Sequence, residues 1–168
     1  MTQTAYPDAD TLRAWRQDFH RHPETAFEEH RTSRRIAERL AEAGLEFVTG
    51  LGGGTGIVAT LEGRRGPGPS IGLRADIDAL DVTELNDVAH ASGTPGKMHA
   101  CGHDGHTTML LGAACRLARD PDFAGRVHFI FQPAEESEGG GRVMVEEGLF
   151  ERFPMEAVYG VHNWPGLA

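Results

Sequence analysis

Cysteine is scarce: the 168 residues hold two, Cys101 inside a histidine cluster and Cys115 in an apolar helical pattern, which is no disulfide framework. Basic runs are missing as well. With 16 Lys and Arg against 25 Asp and Glu, the net charge of −9 argues against nucleic acid and anionic membranes as partners. No apolar stretch is long enough for a signal peptide or a membrane span, and the opening MTQTAYPDADTLRAW is polar, so the expected location is the cytoplasm. Repeats and low-complexity tracts are absent, and the length suits one domain with one core.

What is present is concentrated. MHACGHDGH, Met98 to His106, packs a thiol and three imidazoles into nine residues. Cys101 and His103 are two apart, so an extended or turning segment points both into one site. Asp104 reads as the N-cap of the helix that follows, in which Met109, Ala113 and Leu117 recur at four-residue spacing before Pro121. At a helix N-terminus the dipole and free amides favour a thiolate, the form that binds metal or attacks a carbonyl. Cys115 reads as a small buried hydrophobe.

Two helices open the chain. Leu12, Trp15 and Phe19 share one face before Pro23, and Ile36, Ala37, Leu40 and Ala41 share another that ends at Gly44. GLGGGTG reads as a flexible loop and IVATLE as a strand before the turn GRRGPGP. GTGIVA loosely matches a dinucleotide fingerprint, but a strand pattern follows where a helix should open. From Ile71 to Ala79 the odd positions are apolar, while Arg74, Asp76 and Asp78 share the other face. Those acids are either a solvent-facing edge or partners that orient metal-binding imidazoles. Residues 81–100 carry no pattern and read as a loop. Val127, Phe129 and Phe131 mark a strand ending at Pro133, with Glu135 and Glu136 just beyond. GGGRVMVEEG predicts a short helix capped by Gly148, and AVYGVHNW a strand run ending at His162. This alternation predicts an α/β three-layer sandwich with a largely parallel mixed sheet flanked by helices.

On that reading Cys101 and His103, Glu135 and Glu136, and His162 all fall just past strand ends or at a helix start. That carboxyl edge is where open α/β sheets bind ligands. Imidazole and thiolate suit zinc and its neighbours, and carboxylate also admits manganese. Two adjacent glutamates on a turn can diverge, one binding metal and the other acting as base toward the water that the metal acidifies. His20, His22, His30, His90 and His128 read as structural or surface residues, whereas His99 and His106 flank the ligand pair and can hydrogen-bond a carboxylate or substrate. A thiol hydrolase with Cys101 as nucleophile and His103 or His106 as base leaves the glutamates and His162 unexplained.

In order, RHPETAFEEHRTSRRIAERLAEAG, GLRADIDAL, GKMHACGHDGHTTMLLGAA, FIFQPAEE and VYGVHNWPG resemble the metal-dependent amidohydrolases of the aminoacylase and hippurate hydrolase branch. That zinc-peptidase-like family includes the hydrolases of auxin–amino acid conjugates, and the resemblance covers nearly the whole chain. It implies two divalent metal ions, zinc or manganese first and nickel or cobalt next, hydrolysing the amide of a small N-acyl amino acid. Carried over by residue, Cys101 resembles the bridging thiolate, His103, Glu136 and His162 the other metal ligands, and Glu135 the general base that returns its proton to the departing amine. Asp76 and Asp78 match the family's DxD strand end and, with His106, are implied to support the ligands. Asp81 stands where the family usually has proline. The resemblance also implies that residues 1–168 are the N-terminal part of an incomplete catalytic domain. The lid and dimerisation domain, with a histidine that helps stabilise the transition state, is absent from this stretch, as is the C-terminal part, with one more ligating histidine. The full-length form is then expected to be a homodimer, and the alternative is a catalytically silent metal-binding or dimerisation remnant.

Overall fold

The computed structural model describes residues 7–164 and 166. Helix α1 (Ala9–Arg21) starts where the Asp8 carboxylate accepts the Thr11 amide at 2.8 Å. Helix α2 (His30–Glu42) is capped from a distance, the Glu24 carboxylate accepting the amides of Arg31 at 3.0 Å and Thr32 at 2.7 Å. Strands β1 (Glu46–Leu51) and β2 (Gly56–Glu62) follow as a hairpin, then β3 (Ser70–Asp76). After the irregular segment 77–102 come α3 (His103–Arg119), β4 (Arg126–Gln132), the short helices α4 (Gly140–Glu146) and α5 (Leu149–Arg152), and β5 (Ala157–Gly160).

The five strands form one mixed sheet in the order β1-β2-β4-β3-β5. β3 runs parallel to β4 and β5, while β1–β2 and β2–β4 are antiparallel. Phe19, Ile36, Leu40, Leu110, Leu111 and Ala114 of α1 to α3 pack with Ile57, Ala59, Ala75, Val127, Phe129 and Phe131 on one face. Met144 and Leu149 cover Val58 and Ile130 on the other. The expected three-layer α/β arrangement is therefore present, with the parallel part at β4-β3-β5. Among the described residues no helix is long and apolar enough to cross a membrane.

Several local expectations need correction. β1 carries no clear alternation in sequence, and its side chains are mostly exposed. β3 stops at Asp76 rather than continuing to Ala79. It lies inside the sheet, so Asp76 and Asp78 are buried, at 0% and 1% exposure, and the solvent-facing alternative fails. Met109 is exposed, because the buried face of α3 runs instead through Leu110, Leu111 and Ala114. Asp104 lies in the first turn and not at the cap, which is Gly102 in the left-handed region at φ 105°. A side chain at Gly102 would also bring its Cβ within 2.9 Å of Asn163 Oδ1, so glycine is needed for both reasons. β5 ends at Gly160, leaving His162 two residues beyond it.

Phe129 is fully buried at the centre of the larger cluster. Phe129→Ala is expected to cost about 3–5 kcal/mol, read as a fall in the denaturant midpoint at unchanged slope.

Candidate metal centre

Parallel pairing of β3 with β4 aligns Asp76 with Gln132, so both strands end side by side. Past those ends the chain delivers Asp78 and the turn Pro133–Glu136, while the start of α3 delivers His103 to the same edge. His103 is the centre of the arrangement. Its ring is fully buried, and its Nδ1–H donates to the Asp78 carbonyl at 2.9 Å and to Asp78 Oδ1 at 3.1 Å. The other nitrogen, Nε2, is buried without a hydrogen-bond partner among the described residues. It faces Glu136 Oε1 at 3.6 Å, Asp76 Oδ2 at 3.7 Å and Glu135 Oε2 at 3.9 Å. A buried imidazole oriented by a carboxylate, with its second nitrogen bare and turned toward oxygen donors, is the arrangement that metal-binding histidines adopt.

The structure brings the other expected residues to this point. Cys101, His103 and Glu136 each offer one ligand atom, all within 4.8 Å of one another. His162 presents Nε2 to the Cys101 sulfur at 3.4 Å, while its Nδ1–H donates to the Asn163 carbonyl at 2.7 Å. A second set of atoms within 4.8 Å comprises Asp76, His103, His106 and His162. In it His106 is already spent, its Nδ1 bonded to Asp76 Oδ1 at 2.7 Å and its Nε2 accepting the Asn163 amide at 3.2 Å. His106 therefore supports Asp76 and the His162 segment, and Asp76 is further held by Arg74 at 2.6 Å.

Electrostatics explain what this edge favours. Burial works to raise the Asp78 carboxyl, but donation from His103 and from the Glu136 and Glu135 amides outweighs it, holding Asp78 below its ordinary range. Burial works to lower the His103 imidazole, and Asp78, Asp76 and Glu136 together raise it. The thiol of Cys101 is pushed up to about 12 by burial first, then by Glu136, Asp76 and Glu135. This corrects the expectation that the start of α3 favours a thiolate, because burial and then the neighbouring carboxylates oppose it. The donors fit a divalent cation, which would supply the positive charge that Cys101 needs to ionise amid these acids.

A buried brace holds the loop that carries Cys101. His20 Nδ1 meets Asp104 Oδ2 at 2.9 Å and its Nε2 meets Glu84 Oε1 at 3.1 Å, with Arg16 also on Asp104 at 3.1 Å. Glu84 accepts the Ser92 amide at 2.6 Å; burial opposes its charge, yet Ser92 and His20 hold it down at about 2. His99 packs nearby, with both ring nitrogens buried and unpartnered among the described residues. Burial lowers it to about 4, against the pull of Asp104.

The model of peptidase family M20/M25/M40 matches residues 72–168, the stretch that holds every one of these candidate ligands. The chain belongs to this family. It is 45% identical over 150 residues to hippurate hydrolase of Campylobacter jejuni, covering 89% of this chain and 38% of that protein. N-acetylcysteine deacetylase of Bacillus subtilis is 42% identical, with 90% and 40% covered. The crystal structure of a dinuclear metal-binding M20 peptidase from Bacillus subtilis superposes with a TM-score of 0.87 at 42% identity, covering 94% of this chain and 44% of that one. This M20 chain thus spans about 40% of the length of the relatives it matches.

Two supporting residues of the M20 chain were not foreseen from sequence. Glu29 lies under the glutamate turn and accepts the Ala134 amide at 2.9 Å, and Asp104 anchors α3 to α1. Glu29 sits in an acidic run and Asp104 at a helix start, both places where a carboxylate ordinarily faces water, so nothing local marked them as buried.

Asp78→Ala is expected to weaken metal binding about 10–100-fold in a chelator competition titration, since it removes the carboxylate that accepts from the His103 ring and the Glu136 amide. The stability contribution of neutral His99 is complete above about pH 6.5, where the unfolded residue is also neutral, and is lost as the pH falls toward 4. Melting temperatures between pH 7 and 4 should accordingly fall less steeply in His99→Phe than in the unsubstituted protein.

Proposed function

We propose that this M20 chain forms the first part of the catalytic domain of a metal-dependent amidohydrolase acting on small N-acyl amino acids. The observation that carries this reading is the bare, fully buried His103 Nε2 facing Glu135 and Glu136, with Cys101 in reach of the same point. Cys101, His103, Glu136 and His162 would hold two divalent ions of the zinc and manganese class, with cobalt and nickel as substitutes. Names of relatives support the substrate class: hippurate is an N-acyl glycine, N-acetylcysteine an N-acyl cysteine, and a third relative from Arabidopsis thaliana, 42% identical, is an IAA-amino acid hydrolase. The dinuclear metal-binding structure supports a pair of ions rather than one.

When bound, the ions supply Lewis acidity, polarising the amide carbonyl and acidifying water. Glu135 is the more exposed of the two glutamates, at 39% against 22%, and this leaves it free to work as a base. It takes the proton of the attacking water as the C–O bond forms, then passes it to the amide nitrogen as the C–N bond breaks, releasing carboxylate and amine. Asp78 and Asp76 keep His103 and His106 oriented throughout. A cavity of about 650 Å³ beside Glu136, walled by Phe27, Leu80, Val82 and Lys97, gives the substrate room at this edge. On this reading the rest of the site, and a homodimer contact, would come from sequence corresponding to the part of the relatives outside the matched 38% to 40%.

Cys101 as a nucleophile is disfavoured, since burial first and then the acids around it oppose a thiolate that has no cation beside it. Glu135→Gln is expected to lower kcat at least about 100-fold on N-benzoylglycine or N-acetylcysteine while metal content stays unchanged. Chelation should abolish turnover, and zinc, manganese or cobalt should restore it. Full activity in Glu135→Gln, or turnover that survives chelation, would overturn the reading, and stoichiometric metal without turnover would favour a silent metal-binding remnant.

A further inference from the structure

Glu29 is wholly buried, at 0% exposure, at the start of α2. Its Oε2 accepts the Thr55 hydroxyl at 2.7 Å and its Oε1 the Ala134 amide at 2.9 Å. Burial and the nearby Asp78 both work against its charge. A buried carboxylate fed by two neutral donors is a costly way to join α2, the β1–β2 turn and the end of β4, so its placement needs a reason beyond packing. The reason lies in the turn it grips. Ala134 has φ 51°, a left-handed conformation that side-chain-bearing residues seldom adopt, and it is the hinge at which the chain leaves β4 and throws Glu135 and Glu136 toward His103. The amide before Glu135 is held by Glu29, and the amide after it, that of Glu136, is held by Asp78 at 3.0 Å.

We propose that Glu29 is a positioning residue for Glu135: by accepting the Ala134 amide, it locks the positive-φ turn in the conformation that aims the base and the Glu136 ligand at one point. The proposal rests on the amidohydrolase reading and adds to it a residue that touches neither substrate nor metal. A displacement of about 1 Å at a reacting group is enough to cost about 100-fold in rate. The two partners of Glu29 also separate its roles. Thr55 ties Glu29 to the β1–β2 turn, whereas Ala134 belongs to the turn that carries Glu135.

The test compares Glu29→Ala, Glu29→Gln and Thr55→Val in the protein as its cell makes it, with kcat and KM corrected for folded fraction and Co²⁺ binding followed by its visible absorption. Glu29→Ala should lose about 100-fold in kcat with little change in KM, and its Co²⁺ spectrum should shift, because Glu136 rides on the released turn. Glu29→Gln should recover most of the rate and the original spectrum, as an amide oxygen accepts from Ala134 while its NH₂ donates to Thr55. Thr55→Val should lower the melting temperature while changing kcat and spectrum far less than Glu29→Ala does, because the Ala134 amide bond remains. Wild-type kcat and spectrum in folded Glu29→Ala, or failure of Glu29→Gln to recover either, overturns the positioning role alone. Absence of both Co²⁺ binding and turnover in the unsubstituted protein overturns the amidohydrolase reading, and the role of Glu29 with it.

Discussion

One buried carboxylate, Asp78, is shared by the two segments on which the site depends. Its Oδ1 and carbonyl take the His103 ring, and its Oδ2 takes the Glu136 amide. A charge with 1% exposure is tolerable only because each oxygen is met by a donor. That requirement fixes the topology around it: β3 and β4 must end in register, and α3 must begin where its first residue can reach back to the chain just past β3. The parallel pairing of β3 with β4 therefore does more than extend the sheet. It brings the segments after two strands within one hydrogen bond of each other, and Asp78 makes that bond.

Around Asp78 the carboxylates are arranged in two ranks. Asp76, Asp78 and Glu29 are buried and committed to histidine, arginine, hydroxyl or amide donors. Glu135 and Glu136 are partly exposed, and their side chains face His103 Nε2 at 3.9 and 3.6 Å without bonding it. So much negative charge near one point opposes the Cys101 thiolate and favours any cation, whether a proton on His103 or a divalent metal. The same field gives a physical reason why a thiol enzyme is the weaker assignment for this cluster. A nucleophilic cysteine needs positive neighbours to ionise, and Cys101 has carboxylates instead.

Much of this was legible in sequence where apolar residues recur with the period of a strand or a helix. The alternation Val127, Phe129, Phe131 and the faces of Leu12 and Phe19 and of Ile36 and Leu40 correspond to β4, α1 and α2. Spacing alone also suggested that Cys101, His103, the paired glutamates and His162 converge at a carboxyl edge. What escaped was set by contacts distant in sequence. Asp76 and Asp78 fit either a wet edge or a buried support, and only the position of β3 between β4 and β5 decides between them. Asp104 has the chemistry of an N-cap, but His20 and Arg16, more than 80 residues away along the chain, draw its side chain into the interior. Met109 matched the apolar period of α3 by composition, yet the helix turns its neighbours Leu110 and Leu111 to the core. β1 has little buried face to announce it.

The candidate ligands differ in how firmly the fold holds them, and this follows from where each sits. His103 is buried on all sides and oriented by Asp78, so its position is set before any cation arrives. Glu136 is fixed at its amide but free at its carboxylate. His162 is exposed beyond the end of β5, held by its own Nδ1 bond to the Asn163 carbonyl and by Asn163 resting on His106 and the bare Gly102 backbone. In the proposed metalloenzyme, a cation would therefore order the periphery more than the centre. On that proposal, a buried, pre-oriented imidazole with more exposed partners would let the centre select a cation by charge and donor type, while the outer ligands stay able to adjust to substrate.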